Sequence, residues 1–413
     1  MSSLTNNYHF KSILFLLVSV VLIIIIYSGV NWLLLATIIS SVPAIFLARL
    51  IHNKFSSKVF KLTVDSRSLI GLISFGMIFI GLFLVVSQMN SNQDISSILH
   101  IDLYSLSTVL VVAIIAATFW AISSSGFEYF SVPLTTSMLF YIFFLQMDNI
   151  LLIDFWVGLI IAAIIAFLSY KVKFLTPNGS VATFLLASFI FGLGGWKWSI
   201  PMMAFFILSS LLSKVRKKQN EKIEQYFEKT GVRDYLQVLA NGGIGGILVI
   251  LNHIYPHDIY YLIYVTALAS VCADTWATEI GTMVRTNTYN ILTLKPVEQG
   301  ISGGISILGT LGGVCGALTI SLAGMFWVQL SLPQYFLVVI LGGVIGSFFD
   351  SLLGATIQAQ NQCNVCDKIT ERDYHCGEKA NHKRGYKWVN NDVVNLFAGL
   401  AGGAFIIFIY GLL

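Results

Sequence analysis

Charged side chains are scarce in this sequence. Asp, Glu, Lys and Arg make up 11% of its 413 residues, while 56% are hydrophobic. Soluble domains carry about 25% charged residues, so an ordinary soluble enzyme is excluded. The net charge is only +4, and its basic residues are dispersed among loops, so no nucleic-acid-binding surface is expected. Cysteine is rare as well. Of the five, Cys272 and Cys315 sit in apolar runs as packing residues, which leaves three in one polar loop.

What is abundant is apolar sequence. Runs long enough to match the bilayer core at about 1.5 Å rise per residue recur from residue 12 to the C-terminus. They centre on 12–27, 30–48, 68–87, 108–122, 131–147, 150–169, 179–194, 199–213, 235–251, 259–273, 303–328, 334–358 and 393–412. The expected fold is all-α, a polytopic membrane helix bundle of about 13 spans. The run at 12–27 lacks a small-residue cleavage site and is read as a retained span.

Basic residues orient the bundle. Lys54, Lys58, Lys61 and Arg67, then Lys171 and Lys173, then "SKVRKKQNEK", then Arg285 and Lys295, then Lys368 to Lys387 all fall in alternate loops. The opposite loops, such as "VSQMNSNQDISSILHIDLYS" and "LNHIYPHDIY", carry almost none. The positive-inside rule then makes the N-terminus and the basic loops cytoplasmic, in the plasma membrane if the cell is bacterial. Two regions are expected: 1–170, with about six spans, and 171–413, with cytoplasmic loops 214–237, 274–302 and 359–391. The segment 216–237 reads as an amphipathic helix with Ile223, Tyr226 and Phe227 on its apolar side and a solvated charged face.

Against this apolar background a few acids stand out. In "SVCADTWATEIGT", Asp274, Thr278 and Gly281 share one helix face, and Thr275 and Glu279 the adjoining stripe. Carboxylate and hydroxyl oxygens of this kind suit Mg²⁺, with phosphate oxygens completing its shell. Asp350 lies inside "LGGVIGSFFDSLLGATIQ", where an Asp costs about 2.5–3.5 kcal/mol to insert. Asp392 opens the last span beside Asn391 and Asn395, as an N-cap or a further metal ligand. Between them, "LTLKPVEQGISGGISILGTLGG" supplies Lys295, Glu298 and the flexible loop Gly300, Ser302, Gly303, Gly304 for phosphate. The deeper glycines fit helix packing, as the GxxxG pairs Gly309/Gly313 and Gly312/Gly316. Together these residues point to Mg²⁺-nucleotide chemistry on a lipid. Asp274, Glu279, Lys295, Glu298 and Asp350 are the catalytic candidates. Thr275, Thr278, the glycine loop, Asn391 and Asn395 are the nucleotide-binding candidates, and Asp274, Asp350 and Asp392 the Mg²⁺ ligands. A transporter or scramblase with intramembrane carboxylates and a non-catalytic assembly protein are the alternatives.

The polar loop "CNVCDKITERDYHCG" holds Cys363, Cys366 and Cys376. It reads as a zinc site, as three reduced thiols, or as a redox site. The adjacent His375 and Cys376 are not expected to share one tetrahedral ion, which leaves water, His382 or another group as fourth ligand.

The motifs "LTPNGSVATFLLASFIFGLGGWKW", "VLANGG", "ADTWATEIG", "GISGGISILGT", "GSFFDSLLGATIQ" and "NNDVVNLFAG" follow one another in this order. The series resembles the integral membrane family called domain of unknown function 92, which includes animal transmembrane protein 19 and the plant phytyl-phosphate kinase. The resemblance covers about residues 170–413. More distantly, "DTWA" followed by "KPVEQG" is similar to the order in CTP-using membrane enzymes, the dolichol and phytol kinases and the phosphatidate cytidylyltransferases. It implies metal or nucleotide roles for Asp274, Lys295 and Glu298. The terminal D-R-x-D-S of the cytidylyltransferases is absent, with "NNDVVN" in its place, so a cytidylyltransferase is the lesser reading. The resemblance implies a CTP-dependent kinase of an isoprenoid or polyprenyl monophosphate.

Overall fold

The computed structural model describes residues 103–122, 149–220 and 231–411, with single positions at 43–45, 47, 80, 132 and 136. The expected spans 12–27, 30–48, 68–87 and 131–147 lie wholly or largely outside the described residues, as do Ile223, Tyr226 and Phe227 of the expected amphipathic helix. The chain divides into two compact units, Met1–Trp156 and Val157–Leu413. The first contains α1 (Leu103–Ile122), in which Val111, Val112 and Ile115 are fully buried.

The second unit begins within α2 (Asn149–Lys171) and continues through α3 (Pro177–Gln219), α4 (Tyr235–Ile254), α5 (Asp258–Met283), α6 (Ile307–Gly324), α7 (Leu332–Thr356) and α8 (Asn391–Tyr410). Among the described residues, seven helices are long and apolar enough to cross a membrane. Polar residues start several of them: Thr176, Asp234, Ser306 and Asn390 each accept a backbone N–H of the first turn.

Helix α3 is 43 residues long, but Gly195 breaks it at φ 58°, ψ −155°, a conformation that suits glycine. The chain reverses there. Lys214 Nζ donates to the Val172 carbonyl at 2.7 Å, and the rings of Phe174 and Phe206 meet edge to face at 6.2 Å. The two arms therefore run antiparallel and coincide with the expected runs 179–194 and 199–213.

Helix α5 is the centre. Every residue from 263 to 273 is buried, as a helix apolar on all sides requires. Small residues bring its neighbours close. A methyl at Gly316 of α6 would stand 2.8 Å from the Cys272 carbonyl oxygen, and one at Gly312 would stand 2.9 Å from that of Trp276. Ser270 Oγ donates to the Ala398 carbonyl on α8 at 2.7 Å. Tyr264 OH donates to the Trp198 carbonyl on α3 at 2.6 Å.

The all-α expectation is corrected in two loops. Residues 284–306 form a sheet of order β2-β1-β3, from β1 (Thr288–Asn290), β2 (Pro296–Val297) and β3 (Gly304–Ile305). Residues 357–390 form a second sheet of order β5-β4-β8, from β4 (Gln360–Gln362), β5 (Ile369–Thr370) and β8 (Asn381–Arg384). They also form the hairpin β6 (Tyr374–His375) and β7 (Glu378–Lys379). These segments are too polar to join the bundle. Antiparallel ladders pair backbone groups that would otherwise be left unsatisfied beside it.

Candidate functional site

Successive helices alternate in direction. The C-terminal ends of α3, α5 and α7 and the N-terminal ends of α4, α6 and α8 therefore meet at one end of the bundle. There they line a partly open cavity of about 190 Å³, which the 299–306 loop and Glu371 also border.

One wall is acidic. Asp274, inside α5, and Asp350, inside α7, face each other within hydrogen-bonding reach. Two facing carboxylates repel unless a proton or a cation lies between them. Asp350 Oδ2 is buried with no hydrogen-bond partner, which leaves an acceptor open to a ligand. Glu371 adds its charge to both aspartates. It is held by Ser302 Oγ at 2.6 Å and Gln358 Nε2 at 2.9 Å. Two carboxylates flanked by hydroxyls and space for phosphate match what Mg²⁺ takes from a protein.

The other wall is cationic. Arg216, at the end of α3, pairs through Nε with Glu279 Oε2, and Ser213 Oγ donates to Glu279 Oε1 at 2.6 Å. Arg233, just before α4, donates through Nη1 to Ser210 Oγ and lies over the rings of Phe205 and Phe206. Burial pushes its pKa down to about 10, offset in part by Glu279, so it stays protonated at neutral pH. Gln237 and Asn241, four apart on α4, complete this wall, and Gln237 Oε1 and Asn241 Oδ1 are buried without partners.

The loop between the walls turns through Gly300 (φ 92°) and Gly303 (φ 82°). A Cβ at Gly303 would lie 2.5 Å from the Ala355 backbone nitrogen. Glycine is thus required there both by φ and by space. The glycines deeper in α6 pack against α5, and those at 300, 303 and 304 line the cavity.

Of the expected site residues, Asp274, Thr275, Thr278, Glu279, Gly300, Ser302, Gly303, Gly304, Asp350, Asn391 and Asn395 all line this cavity. Lys295, just before β2, and Glu298, just after it, are exposed and do not line the cavity. Asp392 is buried in the first turn of α8, away from the lining, and the cap of that helix is Asn390. Arg216, Arg233, Gln237, Asn241 and Glu371 are cavity residues that the sequence reading passes over. The i, i+4 spacing of Gln237 and Asn241 was a usable signal. The arginines lay inside what reads as a solvated charge run.

A second, smaller cavity of about 60 Å³ lies between the two arms of α3, α2 and α4. Its lining is apolar, with Ile165, Leu186, Ile190, Met202, Met203 and Phe206, and it shares Arg233, Gln237 and Asn241 with the polar cavity.

In the loop 357–390, Cys363, Cys366, His375 and Cys376 bring their ligand atoms within 4.8 Å of one another, a group that could hold a metal ion such as zinc. The expectation that His375 and Cys376 would not ligate together is corrected. Cys376 has φ 51° and Gly377 φ 82°, the positive pair of a two-residue hairpin turn, and this turn brings both side chains to one place. His382 instead bonds the Gly385 carbonyl. The Cys366 and Val365 N–H groups help to lower the Cys363 pKa to about 6.

A multi-pass helical bundle with acids and arginines gathered around a cavity at one end defines an integral membrane protein with a polar site. The chain belongs to the family of integral membrane protein DUF92, whose profile matches residues 160–403. It is 32% identical over 236 residues to Protein PGR of Arabidopsis thaliana, covering 51% of this chain and 82% of that protein. It is 29% identical to an uncharacterized membrane protein of Methanocaldococcus jannaschii, covering 63% and 95%. It is 26% identical to Protein VTE6, chloroplastic, of Arabidopsis thaliana, covering 54% and 61%. No solved structure matches the chain.

Proposed function

We propose that the protein transfers the terminal phosphoryl group of a nucleoside triphosphate, with CTP the first candidate, to an isoprenoid or polyprenyl monophosphate. The products are the prenyl diphosphate and the nucleoside diphosphate. The observation that carries this reading is the pairing of an acidic wall with a cationic one in a cavity that continues into an apolar pocket. Phosphoryl transfer needs positioning and charge neutralisation more than covalent chemistry. Asp274 and Asp350 would hold Mg²⁺, which supplies charge neutralisation at the transferring group. The 300–304 loop and the α6 N-terminus would hold the nucleotide phosphates. Arg233, Gln237 and Asn241 stand where the two cavities join, so they suit the lipid phosphate, with the first isoprene units in the apolar pocket. The resemblance to a family that includes the plant phytyl-phosphate kinase supports the same substrate class, and the choice of CTP rests on it.

The basic residues Lys217, Lys218 and Arg285 lie at the cavity end of the bundle, which supports a cytoplasm-facing site. The test is to incubate the detergent-purified protein with Mg²⁺, each of CTP, ATP, GTP and UTP, and a panel of prenyl monophosphates. Mass spectrometry should then detect the prenyl diphosphate with at least one pair. Release of nucleoside diphosphate without prenyl diphosphate would overturn the lipid substrate. Nucleotide-independent lipid flux in liposomes would favour the transporter.

A further inference from the structure

We propose that Cys363, Cys366, His375 and Cys376 bind a zinc ion that fixes the segment carrying Glu371 against the acidic wall. This assigns a metal to a site separate from the Mg²⁺ site, and its metal content is independent of the phosphoryl-transfer reading.

The geometry is that of two knuckles closing on one point. Cys363 and Cys366 form the turn joining β4 to β5. The Val365 N–H donates to Cys363 Sγ at 3.4 Å, the Asp367 N–H to the Cys363 carbonyl at 3.1 Å, and the Cys363 N–H to the Lys368 carbonyl at 2.9 Å. His375 and Cys376 come from the β6–β7 turn. His375 Nδ1 lies 3.5 Å from Cys366 Sγ and 3.2 Å from Cys376 Sγ. Around a tetrahedral zinc with typical Zn–S and Zn–N bonds, an N···S edge is about 3.6 Å. Both N···S distances are close to that edge, and all four ligand atoms lie within 4.8 Å of one another.

Polar contacts and short ladders hold this segment, as where Asn361 Nδ2 donates to the Arg372 carbonyl at 3.1 Å, but little apolar packing does. Between 363 and 380 the buried hydrophobic residues are Cys363 and Ala380, while Val365 and Tyr374 are 59% and 67% exposed. So small an apolar set does not order a polar loop, and a metal is the usual substitute. Glu371 lies between the two knuckles, five residues after Cys366 and four before His375. Its carboxylate meets Ser302 of the glycine loop and Gln358 at the end of α7. An ion at the Cys₃His point pins both ends of the stretch that delivers Glu371 to Asp274 and Asp350. Glu371 is thereby a positioning residue for the acidic wall, and the zinc acts through it.

The test uses the full-length protein purified under reducing conditions. Elemental analysis should find about one zinc per chain. Exchange with Co²⁺ should give the intense visible bands of a tetrahedral thiolate site. Removing the metal should open tryptic cleavage at Lys368 and Arg372 while the helical circular dichroism is kept. Cys363→Ser with Cys366→Ser should lose the metal, and His382→Ala should keep it. A wild-type protein with no zinc, with an octahedral Co²⁺ spectrum, or with a mass showing a disulfide among these cysteines would overturn the proposal. So would a cleavage pattern that metal removal does not change. These readouts on the wild-type chain decide the matter even if the double variant does not fold.

Discussion

Replacing Glu279 by Gln separates its packing role from any chemical one. Glu279 and Arg216 pair with side chains only 10% and 4% exposed. Removing one partner of such a pair leaves a buried charge uncompensated, which costs about 3–5 kcal/mol. The Gln carbonyl can still accept the Ser213 hydroxyl, so the lower end, about 3 kcal/mol, is expected. At about 2–4 °C per kcal/mol, the midpoint of unfolding in detergent should fall by about 6–12 °C. Arg216→Met with Glu279→Met replaces the pair by apolar side chains of similar volume and should return to within about 1 kcal/mol of wild type. The assay is fluorescence-detected thermal unfolding of Glu279→Gln alongside the four proteins of the Arg216→Met and Glu279→Met double-mutant cycle. If Glu279→Gln melts with wild type, the ion pair is not holding α3 to α5. If the double variant is as unstable as the sum of the two single ones, the coupling is absent. A stable Glu279→Gln protein that has lost turnover would move Glu279 into the chemistry.

Four further outcomes follow from the same geometry. Asp274→Asn and Asp350→Asn should each lower turnover by at least about 100-fold without shifting the elution profile; near-normal activity in either, measured as phosphoryl transfer, would remove that residue from the metal site. Gly303→Ala meets both a positive φ and the Ala355 backbone, and should be destabilising by more than about 2 kcal/mol, whereas Gly377→Ala, with open space around it, should cost about 1 kcal/mol; equal melting temperatures would refute the packing argument. Arg233, with its pKa at about 10, should keep prenyl-phosphate affinity flat from pH 7 to 9 once the ligand is fully ionised, with a fall above about pH 10; a fall centred near pH 8 would assign the contact to another group. Met202→Trp narrows the apolar pocket and should raise KM more for long prenyl chains than for short ones, and a uniform effect would argue against tail binding there.

Much of this was legible in sequence. Apolar run length located α2 to α8, and the gap between the runs 179–194 and 199–213 contains the break at Gly195. Helical spacing put Asp274 with Thr278 and Thr275 with Glu279 on adjoining stripes, all four of which line the cavity, and the cost of an acid within a span singled out Asp350. What stayed hidden depends on contacts between distant residues. Arg216 meets Glu279, 63 residues away, and no local pattern in "SKVRKKQ" separates that arginine from its solvated neighbours. Glu371 was obscured by the cysteines around it, because ligand spacing drew the reading to the metal and away from the acid the loop delivers. Lys295 and Glu298 were chosen for their charge and their nearness along the chain to the glycine loop, before the resemblance added its weight, and nearness along a chain does not fix direction in space. The small sheets were missed because strands of two or three residues carry no period.

The central claim is that Asp274 and Asp350 form the metal-dependent centre of a phosphoryl transfer to a lipid phosphate. Its most direct measurement follows radiolabel from the terminal phosphate of the nucleotide into lipid extract, with purified wild type, Asp350→Asn and wild type in EDTA run side by side. The account predicts labelled prenyl diphosphate with the wild type and Mg²⁺ alone. Label entering lipid equally in all three, or in none across the full nucleotide and prenyl-phosphate panel, would contradict it.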